Sequence, residues 1–367
     1  MRSKLGTLVL AVALCGGLLT AGVLPKIDFP KDSPVSVLGV DYGESSESAR
    51  GGAMLLELHA ALSLRNNGAR RIRGITLIVT AQDVTAGGKG SVTVTSLDVA
   101  PSESFPVRID LRLLRPLQAG ASAPLVVGLD GVLFDDLGFY GPDKLNSRRA
   151  LTLCEWEARR DRGYFKQLLA EGKDKLQREV LAGIARERDR PNVEVQMVRG
   201  RATNFESEKE IQLAFLDLPD SPIQQLDGTA TISASEARAP RLEVRNRSTR
   251  AVKYLEIGWI LKDRQGREFL AGALPAELSL APGKQSPVRN DTALRFPQAG
   301  GQPMAIEGMT SYVSNVEFAD GSVWIPNRAD LANRRLEQIV GPSAEEQRLL
   351  QIYRKRGLTA LIAELQK

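Results

Sequence analysis

The chain carries one strand–turn–strand pattern twice, and this repetition constrains its fold more than any other feature. The first copy runs from Leu62 to Val79 through Arg65-Asn66, and the second from Leu242 to Trp259 through Arg245-Asn246. In each, apolar and polar residues alternate up to the Arg-Asn pair. A few small or polar residues follow, and a second alternating run opens at Ile72 or Val252. Alternation with a period of two marks a strand with one buried face. Asn bonds readily to nearby backbone and tolerates the left-handed region, so Asn66 and Asn246 read as turn residues ending a strand. On that reading, Asn246→Ala costs about 0.5–2 kcal/mol. A lone hairpin is marginal in water, so each copy must belong to a larger sheet.

Other landmarks recur in the same order. Ile27 to Val35 matches Leu216 to Ile223, and Asn66 and Asn246 lie 180 positions apart. Val99-Ala-Pro-Ser102 matches Leu280-Ala-Pro-Gly283, and Val132 to Pro142 matches Val316 to Pro326. Asp320-Gly321 between apolar runs is a hairpin signal, because both residues accept positive φ. Helical patterns follow each sheet pattern. Thr152 to Glu155 and Ser343 to Glu346 have capping-box spacing, and Gly163 and Gly357, each after an arginine, read as helix stops. After the second stop, Leu358, Leu361, Ile362 and Leu365 form one apolar face. That face needs a cover. The preceding helix offers Leu349, Leu350, Ile352 and Tyr353, and a partner protein is the alternative. In the first copy, Phe165, Leu168, Leu169, Leu176, Val180 and Ile184 continue a helix to about Arg190-Pro191.

The resulting organisation is a leader over 1–24, a β domain over 25–145 and a helical segment over 146–190. A connection over 191–214 follows, then a second β domain over 215–326 and a helical segment over 327–367. Met1 to Lys4 is basic and Leu5 to Leu24 is uncharged, which is the pattern of an export leader. It fits cleavage after Ala21, retention as a membrane anchor, or lipidation at Cys15. Each fate places the body outside the cytoplasm, in the periplasm or on the outer face of a membrane. The membrane is touched only through an uncleaved or lipidated N-terminal segment.

The formal charge of +5 is thin for a nucleic-acid binder, and cations and anions are interleaved, so nucleic acid is not an expected partner. His59, the single histidine, sits in a strand pattern without an evident orienting partner, which argues against a Ser-His-Asp site. Cys154 reads as a small buried hydrophobe. Ser-x-x-Lys and the phosphate-loop motifs are absent, and Gly87-Gly-Lys-Gly90 reads as a hairpin turn. Asp130, Asp135 and Asp136 lack calcium-loop spacing and read as solvated turn residues. Trp259 and Trp324 fall on strand patterns and read as core. Trp156 lies on a helix beside Arg159 and Arg160, within reach of a cation–π contact. No catalytic, metal or cofactor residues are expected.

The Leu242 to Ser248 stretch, the Ala-Pro-Gly turn at 281–283 and the Val316 to Trp324 pattern together resemble the immunoglobulin-like or fibronectin-like β-sandwich modules of bacterial envelope proteins. The resemblance implies two such sandwiches, each followed by a helical pair, in a mainly β chain with helical additions. It implies binding or spacing rather than catalysis. The expected function is protein–protein binding or scaffolding at the cell envelope. The alternatives are a hydrolase using carboxylates and a carbohydrate-binding module.

Overall fold

The computed structural model describes residues 25–82, 87–116, 125–190, 196–199, 208–233, 236–289, 292–295 and 305–367, so the leader and Cys15 lie outside the described residues. The chain is mainly β, with four open sheets and five helices among these residues. It divides into two units. One holds 98–147 and the described residues up to 94; the other holds 95–97 and those from 148 onward.

The first unit contains β1 (Lys26–Asp28), β2 (Val35–Asp41), β3 (Ser46–Arg50), β4 (Ala53–Asn66), β5 (Ile72–Thr80), β6 (Lys89–Val94), β7 (Ser104–Pro116), β8 (Val126–Phe134) and β9 (Phe139–Tyr140). One sheet has the order β1-β8-β5-β6, with β9 also on β8; in the other, β4 pairs with β2, β3 and β7. Along β4, Leu56, Leu58, Ala60, Leu62 and Leu64 are buried, which is the inward half of the alternation.

The second unit includes α1 (Ser147–Glu171), apart from Ser147, and α2 (Lys173–Asp189). Its strands are β10 (Gln196–Arg199), β11 (Lys209–Gln212), β12 (Ala214–Phe215), β13 (Ile223–Ser233), β14 (Glu236–Asn246), β15 (Val252–Asp263), β16 (Glu268–Leu280), β17 (Gln285–Arg289), β18 (Thr292–Arg295), β19 (Ile306–Phe318) and β20 (Val323–Trp324). Then come α3 (Arg328–Leu331), α4 (Arg334–Ile339) and α5 (Ala344–Leu365). The order β12-β19-β15-β16, with β20 on β19, repeats the first unit's β1-β8-β5-β6 strand for strand, including the parallel first pair. The other sheet runs β10-β18-β14-β13-β11, with β17 also on β14. Leu242, Val244 and Val288 of that sheet and Leu255, Ile257, Trp259 and Phe318 of the first share one buried cluster, so the two sheets face each other across a core.

The match extends to irregularities. A bulge falls between Val37 and Gly39 of β2 and between Gln225 and Asp227 of β13. Another falls just after Ile72 of β5 and just after Val252 of β15. The asparagines of the two turns bond the same backbone positions. Asn66 Nδ2 donates to the carbonyls of Arg70 and Val99 at 2.9 and 3.2 Å, and its Oδ1 accepts from Gly68 N–H. Asn246 Nδ2 donates to the carbonyls of Arg250 and Leu280 at 2.7 and 2.9 Å, and its Oδ1 accepts from Ser248 N–H. Arg70 lies over the Phe134 ring at 3.8 Å, and Arg250 over Phe318 at 3.6 Å.

Three expectations about local structure are corrected. Thr152 is not a cap: α1 begins at Ser147, five residues earlier in the chain, and Thr152 lies inside it. Gly163 is not a stop: it is an exposed helical residue, and the chain turns instead at Gly172, where φ is 142°. The stretch 191–214 is more than a connection, because β10, β11 and β12 pair with β18, β13 and β19. Residues 191–195 and 200–207 within it lie outside the described residues. The second helical pair follows its expected layout. Ser343 Oγ accepts from Glu346 N–H at 3.1 Å, and Gly357, at φ 79° and ψ −178°, interrupts α5.

These glycines make opposite predictions. A Cβ at Gly163 meets nothing within 4 Å, so Gly163→Ala gains helix propensity without a clash. It is expected to stabilise by about 0.5–1 kcal/mol. Gly172 and Gly357 occupy backbone that side-chain-bearing residues rarely adopt, so alanine there is expected to destabilise by about 1–3 kcal/mol. Denaturant midpoints of the three variants check this, and a loss of stability at Gly163 would restore that glycine as a structural stop.

Candidate functional site

A difference between the two copies of the repeat locates the site. In the first unit, β9 ends at Tyr140 and α1 starts at Ser147. In the second, β20 ends at Trp324 and α5 starts only at Ala344, and the longer link holds α3 and α4. The sequence explains both short helices. Asn327 caps α3 with a reciprocal box, its Oδ1 accepting from Asp330 N–H while Asp330 Oδ2 accepts from Asn327 N–H. Asn333 caps α4 by accepting from Arg335 N–H at 3.0 Å. Leu336 and Ile339 of α4 are buried against Ile260 and Tyr312 on the outer face of the β15-containing sheet.

α3, α4 and the start of α5 form a cleft with α1 and α2, of about 390 Å³. That volume lies within the range of small ligand sites. Its apolar lining includes Leu331, Leu336 and Val340, and Ala329 and Ala332 are exposed at it. Four arginines line it, three of them held by carboxylates. Arg160 donates to Asp161 at 2.8 Å and to the Pro326 carbonyl at 3.0 Å. Arg186 pairs with Glu179 at 2.7 Å and Glu337 at 3.1 Å. Arg328 pairs with Glu346 at 2.7 Å and Asp161 at 3.4 Å, and lies 4.4 Å over the Tyr164 ring. Asp161 is fully buried and also accepts from Ser343 Oγ at 2.6 Å, tying α1 to the start of α5. The fourth, Arg190, forms no ion pair among the described residues, and its Nε is buried without an acceptor. Burial pulls its pKa below the ordinary arginine value, with Glu187 and Glu346 opposing that shift.

The apolar face of Leu358, Leu361, Ile362 and Leu365, for which the preceding helix and a partner protein were the two expected covers, is covered by the chain itself. Leu361 and Leu365 are buried, and Leu358 and Ile362 half-buried, in a cluster with Phe165, Leu176, Val180, Leu349 and Leu350. The cover comes from α1 and α2 as well as the preceding part of α5. Asn66 and Asn246 are fully buried at the strand ends already described. Asp320 accepts from Ser322 N–H and Gly321 turns the β19–β20 hairpin at φ 80°.

His59 has the orienting partner that the sequence did not reveal: its Nδ1 lies 2.9 Å from Asp110 Oδ1 on β7. The pair borders a depression of about 170 Å³ with Asp41 and Arg108. Both side chains are more than half exposed, at 51% and 68%. The nearby Ser45 Oγ is engaged by the main chain of residue 59, accepting its N–H at 3.0 Å. A solvated dyad whose neighbouring hydroxyl is bound to backbone lacks the arrangement nucleophilic catalysis needs. Asp130 is corrected from a solvated residue to a fully buried one. It accepts from Lys144 and Leu145 N–H and from Ser147 Oγ, fixing the approach to α1. Asp136 does sit in a turn, where the Gly138 N–H and then Arg70 hold its carboxyl below the usual range. Burial, reinforced by Glu157, pushes the Cys154 thiol up to about 11, so it stays protonated at neutral pH. Trp259 is core, Trp324 packs against it, and Trp156 lies under Arg159 at 5.5 Å. Lys89 and Gly90, expected in a turn, open β6 instead and pair with Thr80 and Val79 of β5; 83–86 lie outside the described residues. Among the described residues no group of three metal-ligating side chains forms, and no helix is long and apolar enough to cross a membrane.

No protein-family model matches the chain, and no curated protein matches it.

Proposed function

We propose that this is an exported binding or scaffolding protein of the cell envelope, built from two immunoglobulin-like modules and acting through protein–protein contacts. Its binding element is the cleft formed by α3 and α4. The observation that carries this reading is the inequality of the repeat. The duplicated strands and turns are accounted for by folding, since the first unit makes them without α3 and α4. The inserted helices add a concave surface, part apolar and part charged, that the repeat does not require. Three of its four arginines are locked in pairs, which suits a rigid recognition surface better than proton transfer. The leader pattern supports export.

The test places a bulky side chain at the cleft. Ala332 is exposed and lines it, so Ala332→Trp fills the space without disturbing the core. The full chain and this variant are used as bait on a solubilised envelope fraction. Loss of specific captured proteins in the variant, with the melting temperature unchanged, is the expected result. An identical captured set in both overturns the cleft as the binding element.

A further inference from the structure

One arginine of the cleft forms no ion pair among the described residues, and this says what its ligand carries. We infer that the cleft takes a carboxylate borne on an aliphatic peptide residue, with Arg190 as the group that recognises it; this rests on the binding reading above. Three of the lining arginines are consumed by Asp161, Glu179, Glu337 and Glu346. Arg190 is the exception, and it borders Gly341, where an added Cβ would sit 3.5 Å from its Nη1. A partly buried guanidinium without an ion pair has lost water, and the charges of Glu187 and Glu346 offset that loss only in part. An incoming carboxylate restores that loss, and the planar fork favours a planar two-oxygen acceptor. Burial already disfavours the charge on Arg190, so an anion there is met by an under-solvated cation. In the same cleft, the half-buried Leu331 and Val340 supply apolar surface for an aliphatic side chain next to the acid. A phosphate fits less well, because Glu187 and Glu346 also act on Arg190 and would repel its second charge.

The carboxylate can be a chain terminus or an acidic side chain, and the experiment separates them. Three dipeptide probes are titrated calorimetrically into the full chain. They are N-acetyl-Ala-Leu with a free C-terminus, N-acetyl-Glu-Leu-amide, and the neutral N-acetyl-Ala-Leu-amide. At least one acid is expected to bind about tenfold more tightly than the neutral amide, equivalent to about 1.4 kcal/mol. The stronger acid identifies the source. Arg190→Gln is expected to abolish the preference for acid, and Arg190→Lys to retain part of it. If acid and amide bind alike, or if neither acid binds at millimolar concentration, the inference falls. It also falls if Arg190→Gln keeps the full preference. Should Ala332→Trp still abolish partner capture in those cases, the cleft remains the binding element and only the carboxylate is refuted.

Discussion

Replacing Asn246 by Ala is expected to destabilise the chain by about 2–4 kcal/mol, with Asn66→Ala close behind, above the range the turn pattern alone suggests. The difference comes from burial. Neither residue has positive φ, so backbone tolerance is not what selects Asn here. Each side chain is fully buried and donates both amide hydrogens to carbonyls, one inside the turn and one about 33 positions further on, at Val99 or Leu280. Alanine leaves the turn carbonyl and the N–H two residues on without these partners, and each buried orphan costs about 1–3 kcal/mol. Asn246→Asp separates the two explanations. An aspartate would serve a turn as well as asparagine, but its oxygens would face two carbonyl oxygens. It is therefore expected to destabilise at least as much as alanine. Urea denaturation of each variant gives the result, and an Asp variant as stable as the parent would sink the donor argument.

The same turns show what can be read from this sequence. Strand alternation around Asn66 and Asn246 was legible because burial along β4 and β14 depends on local spacing. The mainly β character and the recurring landmarks followed from it. The helix starts were harder. Thr152 to Glu155 has the spacing of a cap, but α1 starts earlier because buried Asp130, from β8, fixes the segment leading to Ser147. Gly163 and Gly172 are indistinguishable as letters; only the backbone at Gly172 requires glycine. The cleft was not legible because its pairs are distant in the chain: Arg328 meets Asp161, and Arg186 meets Glu337. The His59–Asp110 pair was missed for the same reason, since β4 and β7 bring it together from 51 positions apart. A useful signal was present in the unequal spacing between the last hairpin and the following helix in the two copies, which marks the insertion.

Removing residues 358–367 is expected to cost several kcal/mol, enough to leave the helical part of the second unit marginal. Leu361 and Leu365 are 0% and 2% exposed, and burying a leucine is worth about 1.5–3 kcal/mol. Their loss also uncovers Phe165, Leu176 and Val180. Glu364 goes with them, breaking its 2.6 Å pair with Arg348. A protein of this kind is held by only about 5–15 kcal/mol, so the truncation takes a large share. Leu361→Ala makes the milder version of the test, with an expected cost of about 2–5 kcal/mol from lost contacts and the cavity left behind. Thr359, exposed on the same helix, is the control, and Thr359→Ala should change stability by less than about 0.5 kcal/mol. The truncated chain should also bind a dye for apolar surface, because the cover on α1 and α2 is gone. Unchanged melting together with loss of a bound partner would show instead that the apolar face serves an outside protein. Destabilisation with dye binding would show that α5 closes the cluster built by the helices of both copies.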